Sequence, residues 1–408
     1  MNELAARDVP LTRTRARVQD VHVFWVGTAL AAAALAGVLG WFLRTWPPHE
    51  DETLALFVGR TSFRDAVHTV VAERGGAPLH FVLAWTVVHL GGGLTALRLV
   101  SLVFAVASVP LIALLGARLA DRLTGLVAAL LASGTWVLLF QGIYGRMYSL
   151  FLFTSALSFL ALLTALDHGG RKRFALWGLA LLAMLASHPY GVLVLGAQVL
   201  FVLLRRARLR EALPTLAAVG ALGIPFWWAD LVLRHRFDVG VGGGGPQLGS
   251  PRAVLHYFWW VSGDFSAGHH EWSAPVLLLA LAGAILLARQ HRDSLLLVAC
   301  VVLVPAIAFT LATLRSTTSP EARHIIFALP FFSLLLAVAL VGAARVRPPA
   351  TVAIVVAAVA LLLVGEVRWA HQKTPQLFDG DPVAEAHARE AASAWLASTA
   401  RPDDVLLG

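Results

Sequence analysis

The chain has 408 residues, of which 58% are hydrophobic and only 14% are charged. Soluble domains carry about a quarter charged residues, so this composition excludes a soluble protein and indicates a polytopic membrane protein. The formal net charge of +8 comes almost entirely from arginine, and basic residues in such a chain mark cytoplasmic loops rather than a nucleic-acid-binding surface. Cys300 is the only cysteine, which excludes a disulfide framework and a cysteine-based metal site.

The beginning of the chain predicts a cytoplasmic segment followed by a first transmembrane helix. Residues 1–20 are polar and basic, and the apolar run 21–43 is too long for a signal-peptide core and lacks a small-residue cleavage site. The sequence predicts about eleven spans in a transmembrane domain of residues 21–369. After 21–43, the other spans are 96–115, 123–140, 148–166, 174–187, 190–204, 214–233, 274–288, 294–314, 325–344 and 351–367.

One shorter apolar run, 78–90, decides which loops lie on which side of the membrane. If it lies on the outer surface as a juxtamembrane helix, every basic cluster is cytoplasmic; if it crosses, every cluster after the first changes sides. We therefore predict a juxtamembrane helix, with outer loops at 44–95 and 234–273 and an outer tail at 370–408. The basic clusters are Arg13/Arg15/Arg17, Arg118/Arg122, Arg171/Lys172/Arg173, Arg205/Arg206/Arg208/Arg210, Arg289/Arg292 and Arg345/Arg347.

In this topology the outer face carries an acidic stretch directly after the first span. It consists of Glu50, Asp51 and Glu52. Acidic residues in the first turn of a helix stabilise it by about 0.3–1 kcal/mol each. One carboxylate is enough for a cap, however, and a carboxylate beside a lipid pocket can accept a proton from a hydroxyl nucleophile. The residues alone leave both interpretations open.

Arginines and histidines also gather at the predicted outer face. Arg146, Arg315 and Arg323 lie where the positive-inside rule disfavours basic residues, so each is either a membrane anchor or a phosphate ligand. His188, beside Pro189, is equally explained as a buried, satisfied ring. The outer histidines are His49, His80, His89, His188, His269, His270 and His324. No tight metal-binding spacing joins them, so we assign no metal ligand and no certain cofactor, and leave a divalent metal ion open.

Several short motifs follow one another in an order that resembles a known family. They are Asp51-Glu52, "GAPLHFVLAWTV" at 76–87, "ALRLVS" at 96–101, "GIYGRMYSL" at 142–150, "SHPYG" at 187–191, "IPFWW" at 224–228 and "RHIIFALP" at 323–330. Each is weak alone, but their order, spacing and common side are specific. The chain resembles the GT-C membrane glycosyltransferases, in particular the bacterial proteins similar to dolichyl-phosphate-mannose protein mannosyltransferases (glycosyltransferase family 39). This resemblance implies an all-α polytopic protein with the GT-C fold.

The resemblance also implies an activity and roles for individual residues. The protein would transfer a sugar, mannose or another, from a polyprenyl-phosphate donor to a hydroxyl of a protein, glycolipid or cell-wall glycan, with inversion. Asp51 would be the general base, supported by Glu52, which otherwise would bind acceptor or metal. Arg146 and Arg323 would bind the donor phosphate. The cavity would be lined by Tyr144, Tyr148, His188, Tyr190, His324 and His80. Richness in arginine and alanine is typical of a high-GC bacterium, which implies the inner (plasma) membrane, with the active site facing outside.

Three departures from the family pattern leave other functions open. Tyr144 replaces a glutamate, Gly76 a histidine and His324 a tyrosine. An inactive relative, a lipid or sugar flippase and a non-catalytic scaffold are the alternatives, although no internal repeat or mid-span carboxylate indicates a transporter. In the tail, 384–397 has the spacing of a helix and the residues after it that of a strand, which predicts the start of a small outer α/β domain, minimal or truncated at 408.

Overall fold

The structure is a computed structural model that describes residues 11–43, 49–238, 248–268, 270–311, 320–346 and 382–399, with single residues at 353, 360 and 365. All regular structure within these ranges is helical, which confirms the predicted all-α class. The helices are α1 (Leu11–Phe42), α2 (Glu50–Gly59), α3 (Phe63–His68), α4 (Pro78–His89), α5 (Leu94–Leu119), α6 (Arg122–Ser133), α7 (Trp136–Ile143), α8 (Tyr148–His168), α9 (Arg171–Ser187), α10 (Gly191–Arg205), α11 (Leu209–Leu222), α12 (Ile224–Asp238), α13 (Pro251–Asp264), α14 (Ser273–Gln290), α15 (Arg292–Leu311), α16 (Leu329–Val346) and α17 (Pro382–Thr399). A π-helical turn covers Thr69–Arg74, and 3₁₀ turns cover His270–Trp272 and Ala322–Ala328.

Six helices in the described ranges are long and apolar enough to cross a membrane. They are Asp20–Phe42, Leu94–Leu119, Tyr148–His168, Ser273–Gln290, Arg292–Leu311 and Ala322–Val346. Two bent pairs raise the number to eight if each is one span: α6 with α7, at 62°, and α11 with α12, at 54°. The predicted spans 123–140 and 214–233 therefore each correspond to a bent pair of helices. The total of about eleven stays a prediction, and the last predicted span, 351–367, lies almost wholly outside the described residues.

The ends of several helices are joined by ion pairs at the end of the molecule that the sequence predicts to be cytoplasmic. Arg118 at the end of α5 contacts Asp167 at the end of α8 at 2.6 Å, and Arg205 lies 3.9 Å from the same carboxylate. Arg345, in the last turn of α16, pairs with Asp121 at 2.8 Å. Three of the predicted basic clusters thus contribute an ion pair at these helix ends. This agrees with the prediction that the clusters lie on the same side of the membrane. Such exposed pairs contribute only about 0–1 kcal/mol each.

The predicted first outer loop contains a small helical unit. Helices α2, α3 and α4 share an apolar cluster that includes Ala55, Val58, Val70 and Phe81, and the Trp85 indole N–H donates a hydrogen bond to the carbonyl of Thr61 at 3.1 Å. This confirms that 78–90 forms a helix, α4, while its place on the membrane surface stays a prediction.

A glycine fixes this loop unit to the distant helix α12. Gly75 has a φ of 73°, a conformation that favours glycine, and a Cβ added there would collide with the carbonyl oxygen of Ala229 and the backbone nitrogen of Leu233. The turn after the π-helical segment therefore packs backbone against backbone on α12. The tail is simpler: α17 confirms the predicted helix at 384–397, and the predicted strand lies outside the described residues.

Candidate active site

The acidic stretch after the first span begins helix α2 through reciprocal backbone capping. His49 is the N-cap residue, and its Nδ1 accepts a hydrogen bond from the backbone N–H of Asp51 at 3.2 Å. The backbone N–H of His49 donates in turn to Glu52 Oε2 at 3.1 Å. This arrangement satisfies N–H groups that a helix N-terminus otherwise leaves without partners. The stretch is thus a helix start, as one of the two interpretations held, and Glu52 is the acidic residue that caps it. The side chain of Glu50 lies outside the described residues.

Glu52 is fully buried and joins three segments of the chain. Arg98, in the first turns of α5, donates from Nε to Oε1 at 2.9 Å and from Nη2 to Oε2 at 2.7 Å. The backbone N–H of Gly145, in the turn after α7, donates to Oε1 at 2.7 Å. With the bond from His49, both carboxylate oxygens have two donors each. Glu52 therefore holds α2, α5 and the turn at Gly145 together. Because both of its oxygens already accept hydrogen bonds from the protein, they are not free to bind an acceptor or a metal.

Sequence reasoning did not single out Arg98. It lies inside the motif "ALRLVS" and is 3% exposed. A charged residue within an apolar helix is expensive and normally has a partner inside the bundle. This rule indicates that Arg98 has a carboxylate partner, but it does not identify which carboxylate that is.

Asp51 differs from Glu52 because its side chain is 35% exposed. Arg146 Nη2 lies 3.4 Å from Asp51 Oδ2, and Arg146 Nη1 donates to the Asp51 carbonyl oxygen at 3.3 Å. The carboxylate thus lies beside a guanidinium group, and part of it remains accessible. These are the properties that a general base for an incoming hydroxyl requires.

Tyr144 occupies the position beside Asp51 where the family has a glutamate. Its hydroxyl lies 2.8 Å from His49 Nδ1 and 3.4 Å from Asp51 Oδ2. Burial, and then the charge of Asp51, raise the pKa of Tyr144 well above its usual range, so the hydroxyl stays protonated and can donate. His49, which the sequence did not assign to the site, is therefore part of it. Its contact with Tyr144 spans 95 residues of sequence and has no local signal.

The two predicted phosphate-binding arginines have unused hydrogen-bonding capacity. Arg323 Nη2 pairs with Glu321 at 2.6 Å, and its Cζ lies 5.2 Å from the centre of the Tyr148 ring, a cation–π distance. The Nε atoms of Arg146 and Arg323 are buried, and neither has a hydrogen-bond partner in the part of the chain that the structure describes. A buried donor without a partner is costly and is commonly explained by a bound ligand or ion. Arg315, the third outer arginine, lies outside the described residues.

The structure brings the other predicted cavity residues together around His324. The centre of its ring lies 5.1 Å from that of Tyr190, and 5.8 Å from those of both Tyr148 and His188. Burial lowers the pKa of His188 well below its usual range, followed by the effects of His324, Arg146 and Arg323, so its ring is neutral. Four of the predicted residues thus form one cluster next to Arg323.

His80 lies near Arg146. Burial, and then the charge of Arg146, lower its pKa to about 3. Its Nε2 is buried without a hydrogen-bond partner among the described residues. His80 is therefore a third unsatisfied polar side chain near Arg146.

The described residues do not provide a ready metal site. No group of three or more histidine, cysteine, aspartate or glutamate side chains within them could hold a metal ion. Of the two site carboxylates, Glu52 has both oxygens engaged, which leaves Asp51 as the open one. We therefore derive no chemical step from a metal.

Fold and site together define a class of protein: a multi-pass helical membrane protein whose candidate site joins a carboxylate just after the first span to arginines between later spans. Residues 75–228 match the family described as dolichyl-phosphate-mannose-protein mannosyltransferase. This match confirms the predicted resemblance over that range. Asp51, Glu52 and Arg323 lie outside it.

Two crystal structures of ArnT from Cupriavidus metallidurans share the fold. The apo structure has a TM-score of 0.54 at 14% sequence identity and covers 78% of this chain. The structure bound to undecaprenyl phosphate has a TM-score of 0.55 at 13% identity and covers 93%. This chain spans 60% and 66% of the two ArnT chains. The likeness confirms the predicted GT-C fold, while no curated protein matches the sequence.

Proposed function

We propose that this protein is a glycosyltransferase that moves a sugar from a polyprenyl-phosphate donor to a hydroxyl acceptor at the outer face of the membrane. The observation that carries the proposal is the juxtaposition of a half-exposed carboxylate with a guanidinium group. Asp51 lies 3.4 Å from Arg146, whose buried Nε has no partner among the described residues. A base and a phosphate-binding group are thus neighbours, as the transfer of a sugar from a phosphate requires.

The reaction follows from these positions. The acceptor hydroxyl gives its proton to Asp51 as its oxygen attacks the anomeric carbon of the donor sugar. The bond between that carbon and the phosphate oxygen breaks, and its electron pair leaves with the polyprenyl phosphate. Arg146 and Arg323 stabilise the charge that grows on the leaving phosphate, because a guanidinium fork matches phosphate oxygens. Attack from the face opposite the leaving group inverts the anomeric configuration.

The outer-face orientation is supported by the positions of the site residues and of the basic residues at opposite ends of the same helices. Helix α5 begins near Arg98, at the site, and ends at Arg118, which pairs with Asp167 at the end of α8. Helix α8 begins at Tyr148, also at the site. The site therefore lies at the opposite ends of both helices from the ion-paired basic residues, which the positive-inside rule assigns to the cytoplasm. Nucleotide sugars are cytoplasmic, so transfer at the outer face needs a lipid-linked donor.

The donor and acceptor classes are proposed from the relatives. The matched family is described by a dolichyl-phosphate-linked mannose, and one ArnT structure holds undecaprenyl phosphate. We propose a bacterial polyprenyl phosphate of that kind carrying mannose or a similar sugar, in the plasma membrane. The acceptor is a hydroxyl of a protein, a glycolipid or a cell-wall glycan.

Transfer can be measured with the purified protein in liposomes. Polyprenyl phosphates carrying radiolabelled mannose, glucose, arabinose or aminoarabinose are supplied with membrane extract as acceptor, with and without EDTA to detect a divalent-ion requirement. We expect transfer from at least one donor by the wild type, and loss of it in Asp51→Asn. Asp65→Asn is the matched control, because Asp65 is an exposed carboxylate in the same outer loop.

Two outcomes would count against the proposal. Transfer that survives Asp51→Asn removes Asp51 as the base. No transfer from any donor, with labelled lipid nevertheless moving between leaflets, indicates a flippase instead, and neither transfer nor movement indicates a scaffold.

A further inference from the structure

Three histidines at the site share one hydrogen-bonding arrangement. In each, the ring Nδ1 accepts a hydrogen bond from a backbone N–H two or three residues away: His49 from Asp51 at 3.2 Å, His188 from Tyr190 at 3.0 Å and His324 from Glu321 at 2.7 Å. A backbone N–H can only donate, so Nδ1 must offer a lone pair. The proton of each neutral ring is therefore on Nε2.

Two of these histidines belong to the cluster around Arg323. The ring centres of His188 and His324 are 5.8 Å apart, and each lies within 5.8 Å of the Tyr148 ring that Arg323 covers. The His188 ring is also stacked on Phe151, with centres 4.7 Å apart and planes 18° from parallel. Nε2 is at the ring edge away from the backbone contact. Each ring thus has a fixed orientation and a fixed donor edge.

Protonation of these rings is opposed by their surroundings. His188 is 2% exposed, and besides burial it faces His324, Arg146 and Arg323, all of which disfavour a further positive charge. Among the described residues, the other charged or titratable groups around the cluster are Glu321, which pairs with Arg323, Asp51, and the tyrosines Tyr144, Tyr148, Tyr190 and Tyr257. A proton on Nδ1 would also break the backbone hydrogen bond. A neutral ring with its proton on Nε2 is therefore the form that fits this site.

We propose that His188 and His324 are neutral hydrogen-bond donors, through Nε2–H, to the phosphate oxygens of the polyprenyl-phosphate donor. This inference rests on the proposed function and adds two phosphate ligands to Arg146 and Arg323. Neutral donors suit this position because two guanidinium groups already supply the positive charge, and an additional cation would have to be buried beside them. In this tautomer Nδ1 already accepts a hydrogen bond and Nε2 carries the proton, so neither ring has a free lone pair to remove a proton. Both histidines therefore bind the phosphate, and Asp51 removes the proton.

Replacement by glutamine and by asparagine distinguishes this arrangement. The glutamine amide can place an N–H close to the position of Nε2–H, whereas the shorter asparagine amide imitates the Nδ1 side. We expect His188→Gln and His324→Gln to bind undecaprenyl phosphate within about threefold of the wild type. The asparagine variants should bind it about tenfold or more weakly, since each loses a hydrogen bond to a charged group. Binding of undecaprenol, which lacks the phosphate, should be the same in all variants.

The outcomes separate this inference from the proposed function. Equal binding by the glutamine and asparagine variants, or unchanged binding in all of them, would overturn the histidine assignment while Arg146 and Asp51 keep their roles. Wild-type protein that prefers undecaprenol to the phosphate would overturn the donor class itself.

A second measurement does not depend on substitution. In ¹⁵N-histidine spectra of the wild type in nanodiscs with undecaprenyl phosphate, we expect two buried histidines to keep the neutral, Nε2-protonated form between about pH 6 and pH 8. Signals that disappear in His188→Gln and His324→Gln assign them. An imidazolium or an Nδ1-protonated ring at either position contradicts the inference.

Discussion

Asp51 and Glu52 follow one another in the first turn of one helix, yet they occupy opposite environments. Glu52 is fully buried, and its two oxygens accept hydrogen bonds from Arg98, Gly145 and His49. Asp51 is 35% exposed, with Arg146 3.4 Å away. A carboxylate whose hydrogen bonds are complete fixes the chain around it. One that is partly open next to an unsatisfied arginine has capacity left for a substrate.

The same contrast separates the two sets of arginines. The Nε and Nη2 groups of Arg98 both donate to Glu52, whereas Arg146 and Arg323 keep buried Nε atoms without a partner among the described residues. Hydrogen-bond completeness therefore distinguishes the framework of this site from its ligand-binding part.

The largest expected effect is on turnover in Asp51→Asn. Loss of a positioned general base lowers rates by roughly 10²–10⁴-fold, and because Asp51 is partly exposed, the midpoint of thermal unfolding should hardly change. Single-turnover transfer and heat-induced aggregation in nanodiscs measure the two quantities. A variant with normal turnover, or one that unfolds early, would place Asp51 in the framework with Glu52.

Glu52→Gln and Arg98→Gln should show the opposite pattern, with stability lost first. Breaking a buried ion pair by removing one partner costs about 3–5 kcal/mol, so both variants should unfold at clearly lower temperature. The double variant should be less destabilised than the sum of the single ones, because each single change leaves the other charge unpaired. Additive losses would show that the pair does not act as a unit.

A smaller effect is expected for Arg323→Lys, which keeps the positive charge but loses the paired N–H groups of the guanidinium. Lysine cannot form the paired hydrogen bonds of a guanidinium with phosphate, so the KM for the polyprenyl-phosphate donor should rise by about tenfold with the fold intact. Arg345→Lys, at the ion-paired end of α16, serves as the control and should leave the KM unchanged. An unchanged KM in Arg323→Lys would indicate that Arg323 contributes charge alone.

The smallest effect is expected for Tyr144→Phe. The change removes the hydroxyl that lies 2.8 Å from His49 Nδ1, and one neutral hydrogen bond contributes about 0.5–1.5 kcal/mol, or roughly two- to thirteenfold in rate. Single-turnover transfer measures it. A loss as large as that of Asp51→Asn would make Tyr144 a member of the proton-transfer machinery.

Apolar run length and charge asymmetry predicted the all-α membrane class and most of the helices, because they report burial and membrane side directly. The residues that meet at the site were predicted from the resemblance to the family, whose motifs contain them. The sequence did not predict the partner of Glu52, since Arg98 is 46 residues away and no periodicity encodes such a contact. It also predicted a span at 123–140 without the bend of 62° that the chain makes there. Gly134 and Thr135, which separate the two halves, were the local signal for this break.

The contact between Gly75 and α12 bears on how a lipid reaches Asp51. A Cβ at position 75 would collide with the Ala229 carbonyl oxygen and with the backbone nitrogen and Cβ of Leu233, so any side chain there would push the two segments apart. The helical unit of α2, α3 and α4, which carries Asp51, is therefore held against α12 on that edge. The proposed long-chain donor would then reach Asp51 from an edge that α12 does not cover.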